Sequence, residues 1–178
     1  MMKKTELVDR LRRSRHILLE ALKGFDEEEM LKPNAVSVGS LKDLMAHLAS
    51  WDAEMVRVMQ AFAMQDDPKF AYSISTYNDF ATWNAEQIAL RADLTLKQAV
   101  REIETARSDL MQTLDGMTDP VLRRTKKTPW GRVASSYDLI LTQIEHDEEH
   151  LKHILSFHKK MERWKRARLQ AAARRKKK

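Results

Sequence analysis

The sequence predicts an all-α fold: a four-helix bundle with a short extra helix in the long connection between helices two and three. The chain has 178 residues, which suits one domain with its own core. Four Gly and four Pro leave little material for the turns of a many-stranded sheet. Apolar residues recur at intervals of three and four along long segments, which is the spacing of amphipathic helices.

Helix one is predicted within TELVDRLRRSRHILLEALKG, and Gly24 is expected to end it as a C-cap. Its apolar positions are Leu7, Leu11, His16 or Ile17, Leu18 and Leu22. Asp26 then caps a short turn, and residues 33 to 39 form a loop.

Helix two is predicted to begin at Ser40, which forms a capping-box pattern with Asp43, and to run to about Gln65. Asp66, Asp67 and Pro68 should stop it. His47 lies at the edge of its apolar stripe, which consists of Leu44, Leu48, Trp51, Met55, Val58, Met59 and Phe62.

The connection to helix three is elaborate. A looser stretch with Phe70, Tyr72 and Tyr77 precedes a short amphipathic helix that carries the pair Trp83 and Asn84. Connections of this kind often form the wall of a pocket.

Helix three should open at the capping pattern of Thr95 and Gln98 and close at Gly116. After the loop KKTPWGR, the last helix is predicted to begin near Ser135 or Ser136. We place the bundle at residues 1–160, followed by a basic tail at 161–178 that is either helical or disordered.

Charge is distributed unevenly along the chain. Residues 159–178 hold eleven Lys or Arg and one Glu, a net charge of +10, while the remaining residues carry −4. Such a tail can bind the phosphates of a nucleic acid, or it can be a solvated helix end, which is the interpretation favoured by the sequence. Trp164 is the one aromatic residue available for base stacking, and we expect it to pack on the bundle.

Composition excludes several classes of protein. No apolar run is long enough to span a membrane, and no apolar segment follows the basic N-terminus, so we expect neither a membrane span nor a signal peptide, and a cytoplasmic protein. The absence of Cys excludes disulfides, thiolate metal sites and a cysteine nucleophile. Any thiol chemistry must use a thiol from another molecule.

The two halves of the chain resemble one another. Residues 22–33 align with 114–125, and residues 43–55 align without gaps with 138–150, which places Trp51 and Asp52 on His146 and Asp147. Two unrelated helical hairpins could also have acquired this degree of sequence similarity independently. A true repeat would imply two hairpins packed about a pseudo-two-fold axis.

Three histidines in IEHDEEHLKHI are the strongest candidates for a functional site. Their spacing of four and three residues puts His146, His150 and His153 on one side of the last helix, the first two at the apolar margin and the third on the rim. His47 has the same placement on helix two. Asp147 falls in the buried arc, where a His or Arg partner is required, so we interpret it as a residue that orients a ligand.

The alternatives are an ordinary set of boundary histidines and a metal site. Because three boundary histidines lie on helices expected to be neighbours, we favour a site for a divalent transition metal that keeps a coordination position open. HDEEH also matches the inverted zinc-protease pattern H-x-x-E-H, which we disfavour because that enzyme class needs a sheet and a further acidic ligand.

The segments SLKDLMAHLASWD and HDEEHLKHI, the Trp83–Asn84 pair and the PWG loop at 129–131 resemble the DinB-like superfamily over about residues 5–157. The start KTELV and the same Trp-Asn pair also resemble the branch that contains colibactin self-resistance proteins. The resemblance implies a metal-binding four-helix bundle with His47, His146 and His150 as ligands, and His153 where many relatives have Gln.

Some branches of the superfamily are thiol-dependent transferases or isomerases, and some are hydrolases. We therefore expect an enzyme that uses Zn, Ni or Fe, with a low-molecular-weight thiol or water attacking a small electrophilic substrate. Trp51, Trp83 and Asn84 would line the pocket. We also expect a homodimer. The alternative is a non-catalytic bundle that sequesters a small molecule or docks on nucleic acid through its tail.

Overall fold

The computed structural model describes residues 2–64, 73–74 and 76–175. Its four long helices are α1 (Lys4–Leu22), α3 (Leu41–Ala63), α5 (Leu96–Gly116) and α7 (Ser136–Arg175). The short elements are α2 (Glu27–Met30), a 3₁₀ turn (Tyr77–Asp79), α4 (Phe80–Ala89), α6 (Asp119–Arg123) and the strands β1 (Thr125–Lys127) and β2 (Val133–Ser135). The predicted all-α bundle with an extra helix, α4, between its second and third long helices is confirmed.

The predicted helix starts are confirmed by their caps. Ser40 and Asp43 form a reciprocal capping box at the start of α3, as Thr95 and Gln98 do at the start of α5. Ahead of α7, the Asp138 carboxylate accepts hydrogen bonds from the backbone N–H and hydroxyl of Ser135, at 2.9 and 2.6 Å. These bonds satisfy amides and hydroxyls that the helices leave without partners.

Several local predictions are wrong. Helix α1 ends at Leu22 with Lys23 in the right-handed region, so Gly24 is not its left-handed cap. The predicted positions Leu7, Leu11, Leu18 and Leu22 of α1 are buried, but His16 and Ile17 are exposed, and Ser14 and Arg15 take the inward positions between Leu11 and Leu18. The KKTPWGR loop is part of an antiparallel hairpin of β1 and β2, whose turn holds Gly131 at φ 91°. Strands of only three residues carry too little periodicity to be recognised in the sequence.

Other predictions fall outside the described residues. Among these are the stop signal of Asp66, Asp67 and Pro68, and the positions Phe70 and Tyr72. The described part of α3 ends at Ala63, two residues before the predicted end.

The helices pack in pairs. Helix α3 packs chiefly on α5, and α1 on α7, while α3 also contacts α7. Apolar side chains form two clusters, one on each side of a polar layer that crosses the bundle. The polar layer consists of Arg15, Asp52, Arg107 and Asp147, one residue from each long helix and each at most 5% exposed.

The polar layer agrees with the internal repeat. Arg15 and Arg107 are separated by the offset that aligns residues 22–33 with 114–125, and Asp52 and Asp147 are a predicted aligned pair. Each arginine contacts both carboxylates at distances between 2.8 and 3.1 Å. Equivalent positions in the two halves therefore have equivalent partners.

Helix α7 continues well past the predicted bundle boundary. Met161 is buried in the core, whereas Leu155 is 47% exposed. Lys165 forms an ion pair with Glu29 at 2.8 Å, and Lys32 lies 4.1 Å from the centre of the Trp164 ring. The packed part of the chain thus reaches Lys165, and the tail is helical to Arg175. No helix in the described ranges is long and apolar enough to cross a membrane.

Candidate metal centre

The three predicted ligands meet between α3 and α7. His47 projects from the second turn of α3, and His146 and His150 lie one turn apart on the facing side of α7. The Nε2 atom of His146 is 3.0 Å from Nε2 of His47 and 2.9 Å from Nε2 of His150. The candidate ligand atoms all lie within 4.8 Å of one another.

Hydrogen bonding alone cannot satisfy this arrangement. A neutral imidazole nitrogen carries either one hydrogen or one lone pair. The Nε2 atom of His146 lies at hydrogen-bond distance from the Nε2 atoms of both His47 and His150. With one hydrogen or one lone pair, it can form a full hydrogen bond with only one of them. A cation among three converging lone pairs would satisfy all three nitrogens at once.

Burial keeps the three rings neutral. It lowers the pKa of His47 to about 3, with the neighbouring His150 as a smaller cause. Burial, with His150 and His47 next in importance, lowers the pKa of His146 to about 2. The pKa of His150 falls to about 4, again mainly through burial and then through His153. At neutral pH each ring can therefore offer a lone pair without first losing a proton.

A cavity of about 690 Å³ opens beside the cluster, and His47 and His146 form part of its wall. Trp51, Phe80 and Trp130 form an aromatic side of the cavity. Their rings meet edge to face, with centroids 5.1 Å apart for Trp51 and Phe80 and 5.7 Å apart for Phe80 and Trp130. The polar and charged lining residues besides the histidines are Asn84, Arg132, Thr142, Gln143, Glu145 and Glu149.

The predicted pocket residues have distinct positions. Trp51 and Asn84 line the cavity, and the Trp51 indole N–H donates to the Asn84 side-chain oxygen at 2.9 Å. Trp83 packs behind Trp51, with ring centroids 4.7 Å apart, so it supports the wall instead of lining it. The ring of His153 lies 5.5 Å from that of His150 and is not a member of the three-nitrogen group.

Asp147 does not orient a histidine. Its carboxylate accepts hydrogen bonds from the Ser14 hydroxyl at 2.8 Å and from the Arg15 guanidinium at 2.8 and 3.2 Å, and it also binds Arg107. The prediction of an Arg partner is confirmed, whereas the prediction of direct contact with a ligand is not met. The side chain points into the bundle, one residue away from His146 along the chain but on another face of α7.

The Nδ1 atoms of the candidate ligands also depart from the pattern that is usual for metal-binding histidines. Metal-binding histidines ordinarily donate their second N–H to a carboxylate or carbonyl. In the described part of the protein, the buried Nδ1 atoms of His47 and His150 have no protein partner. Helix packing therefore sets the orientation of these rings, without help from hydrogen bonds at Nδ1.

Comparison with known protein families decides the classification. The family model of the DinB superfamily matches residues 10–154. The chain belongs to the DinB superfamily. The match includes the three histidines, the polar layer and the aromatic wall of the cavity. A search of curated proteins finds no match.

Solved structures show the same DinB fold. An uncharacterised protein from Escherichia coli UTI89 superposes with a TM-score of 0.71 at 17% identity, covering 91% of this chain and 96% of the other. A mycothiol-dependent maleylpyruvate isomerase has a TM-score of 0.69 at 14% identity, covering 86% of this chain but 61% of the isomerase. TT2238, a four-helix bundle protein, has a TM-score of 0.60 at 17% identity, covering 86% and 99%.

Sequence reasoning missed part of this DinB-type site. It did not identify Phe80, Arg132 or Gln143 as cavity residues, because the hairpin and the cavity bring them together from separate elements. It also missed Arg15 and Arg107 as partners of Asp147. A signal for these two existed, because each stands on the apolar face of its helix, between Leu11 and Leu18 or between Ile103 and Leu110.

Proposed function

We propose that this protein is a divalent-metal-dependent enzyme of the DinB type that acts on a small electrophilic substrate with a low-molecular-weight thiol or water. The convergence of three neutral imidazoles at the wall of a cavity is the observation that carries the proposal. Family membership supports it, and so does the presence of a mycothiol-dependent isomerase among the structural neighbours.

The histidine cluster fits a transition metal. Zn–N bonds of about 2.0–2.1 Å in a tetrahedral site require ligand nitrogens about 3.3 Å apart, close to the observed 2.9 and 3.0 Å. Imidazole suits Zn, Ni and Fe, so the donor set leaves these three candidates open. A bound ion would supply Lewis acidity, which lowers the pKa of a thiol or water at the remaining position.

The side chains of the protein would position the ion and the substrate and would form the walls around them. His47, His146 and His150 would hold the ion, and the adjacent cavity would place a substrate next to it. Trp51, Phe80 and Trp130 offer an apolar surface that excludes water from one side of a bound molecule. The thiol has to be supplied in solution, because the chain contains no Cys.

A non-catalytic role is the second candidate. The cavity of about 690 Å³ is of the size that commonly holds a small organic ligand, and its aromatic side would bind such a molecule without any reaction. A sequestering protein would need the cavity but not the metal. The two candidates therefore differ in whether removal of the metal abolishes the function.

The test compares metal dependence in matched variants. Purified protein is stripped with a chelator, reloaded separately with Zn²⁺, Ni²⁺ or Fe²⁺, and assayed with a panel of low-molecular-weight thiols and a chromogenic electrophile. We expect turnover of the electrophile, with or without an added thiol, that requires metal and is lost in His146→Ala. The matched control is His16→Ala, which removes an exposed histidine from α1.

Two results would overturn the enzyme proposal. One is turnover that is identical in chelated and reloaded protein. The other is tight binding of an aromatic ligand by chelated protein, with no turnover under any metal and thiol; this result would support sequestration instead.

A further inference from the structure

The C-terminal part of α7 extends beyond the bundle. Helix α7 has 40 residues, whereas α1, α3 and α5 have 19, 23 and 21. At 1.5 Å per residue, α7 is about 60 Å long, roughly twice the length of its partners. The contacts of Met161, Trp164 and Lys165 with the bundle fix the base of the projecting segment.

Residues 166–175, which we call the basic extension, have a different character. Every residue in them is exposed, and no hydrogen bond, ion pair or ring contact joins them to the rest of the described protein. The extension has four arginines and no acidic residue, and three lysines follow it in the sequence. Its remaining residues are four alanines, Leu169 and Gln170, which form a helix readily without packing.

Three of the four arginines of the extension lie on two opposite sides of the helix. At 100° per residue, Arg166 and Arg168 are 200° apart, Arg175 lies close to the direction of Arg168, and Arg174 lies between the two sides, 80° from Arg166. A helix with cations on two opposite sides matches a groove that has phosphates along both walls. The major groove of B-DNA, about 12 Å wide, accepts one α-helix and has this charge pattern.

We propose that the basic extension binds double-stranded DNA through its phosphates, without marked sequence preference, with the helix lying in the major groove. This interaction is separate from the metal centre. It changes the interpretation favoured by the sequence, because the structure shows these charges to be exposed on a projecting helix segment that contains no acidic residue.

Other polyanions fit less well. Helices that lie on a membrane surface have cations on one face and large apolar residues on the other. Leu169 is the one large apolar side chain in the extension, and Ala172 and Ala173 flank it around the helix, so the extension has no large apolar face. Duplex RNA has a deep and narrow major groove that a helix does not enter readily.

The experiment measures binding of the full-length protein to a fluorescent 20-base-pair DNA duplex by anisotropy over a range of salt concentrations. The test variant changes Arg166→Gln, Arg168→Gln, Arg174→Gln and Arg175→Gln. The matched control removes the same charge from exposed positions of the body: Arg13→Gln, Arg101→Gln, Arg124→Gln and Lys152→Gln.

We expect the test variant to lose at least about tenfold in affinity at low salt and its salt slope to decrease by about 3 to 4, whereas the control should retain both. Circular dichroism and metal stoichiometry should be unchanged in both variants. Equal binding by the wild type and the test variant would overturn the proposal, as would an equal loss in the control. Preference for phosphatidylglycerol vesicles or for an RNA duplex over DNA would also overturn it.

Discussion

Two buried polar clusters lie side by side on α7, and they differ in how far the protein satisfies them. Around Asp147, two arginines and two carboxylates balance in charge, both oxygens of Asp147 have donors, and Nη1 of Arg15, which makes no hydrogen bond, lies 3.1 Å from the Asp52 carboxylate. Around His146, three imidazole nitrogens converge, and the single hydrogen or lone pair on Nε2 of His146 cannot fully satisfy both of its contacts. His146 and Asp147, which are neighbours in the sequence, thus belong to different clusters. We call the polar layer around Asp147 the completed cluster, because its charges are paired, and the histidine group around His146 the incomplete cluster.

This difference indicates which of the two clusters stabilises the fold and which is a candidate for binding a ligand. A cluster that the chain completes by itself needs no ligand, and its residues repeat in both halves of the molecule as Arg15 with Arg107 and Asp52 with Asp147. The incomplete cluster does not repeat. By the same alignment His146 corresponds to Trp51 and His150 to Met55, so one half has two of the clustered histidines at positions where the other half has apolar side chains of the cavity wall and the core.

The largest expected effect comes from breaking the completed cluster. Arg107→Met leaves two carboxylates with one arginine in the bundle centre, and we expect it to lower the free energy of unfolding by about 3–5 kcal/mol. Urea denaturation measures this change. The exposed Arg101→Met on the same helix is the control and should change it by less than about 0.5 kcal/mol. Equal stability of both variants would show that the polar layer is not structural.

Breaking the incomplete cluster should separate metal binding from stability. His146→Ala removes the central nitrogen, and we expect at least a hundredfold loss of Zn²⁺ affinity by competition titration with a chromophoric chelator. Helix content by circular dichroism should be retained, because apolar packing supplies most of the stability of a bundle. Loss of the helical signal together with the metal would mean that the metal is structural.

The metal-free protein should become less stable in acid. Unfolded histidines titrate near pH 6.5, while the folded pKa values are about 3 for His47, 2 for His146 and 4 for His150. Between pH 6.5 and 4 the unfolded chain therefore binds more protons, and stability falls as the pH falls, by up to about 1.4 kcal/mol per pH unit for each histidine.

Urea denaturation at pH 7 and pH 5 tests this linkage. His146→Gln, which cannot titrate, should lose about 1–2 kcal/mol less than the wild type between the two pH values. The same loss in both proteins would contradict the burial of a neutral His146.

The smallest expected effect belongs to His153. Its ring contacts that of His150 but lies outside the nitrogen group, so His153→Ala should change the free energy of Zn²⁺ binding by less than about 0.5 kcal/mol. A loss as large as that in His146→Ala would make His153 a ligand and would redefine the cluster.

The sequence predicted those features that are encoded locally. The capping residues Ser40 and Thr95 marked helix starts, and the spacing of His146 and His150 placed both on one face of a helix. For Asp147 the sequence predicted that the partner is a His or an Arg, but not which residue it is. A buried carboxylate requires a cationic or hydrogen-bonding partner, and this requirement does not identify the residue. Its identity depends on the rotation of α1 and α5 about their axes, which the long-range packing sets.

The cavity was predictable only in outline. Trp51 and Asn84 were expected to line it, but Phe80 and Trp130 reach it from α4 and from the hairpin turn, and their approach depends on how these elements fold over α3 and α7. The length of the packed helix was also underestimated, since Met161 and Lys165 look like tail residues until α2 is seen beside them.

X-ray absorption at the zinc edge counts the imidazole ligands of a bound ion. The sample is full-length protein loaded with one equivalent of Zn²⁺, beside His150→Ala prepared in the same way. We expect three imidazole nitrogens at about 2.0–2.1 Å in the wild type and two in the variant. A first shell without imidazole scattering, or the same imidazole count in both proteins, would contradict a metal centre formed by His47, His146 and His150.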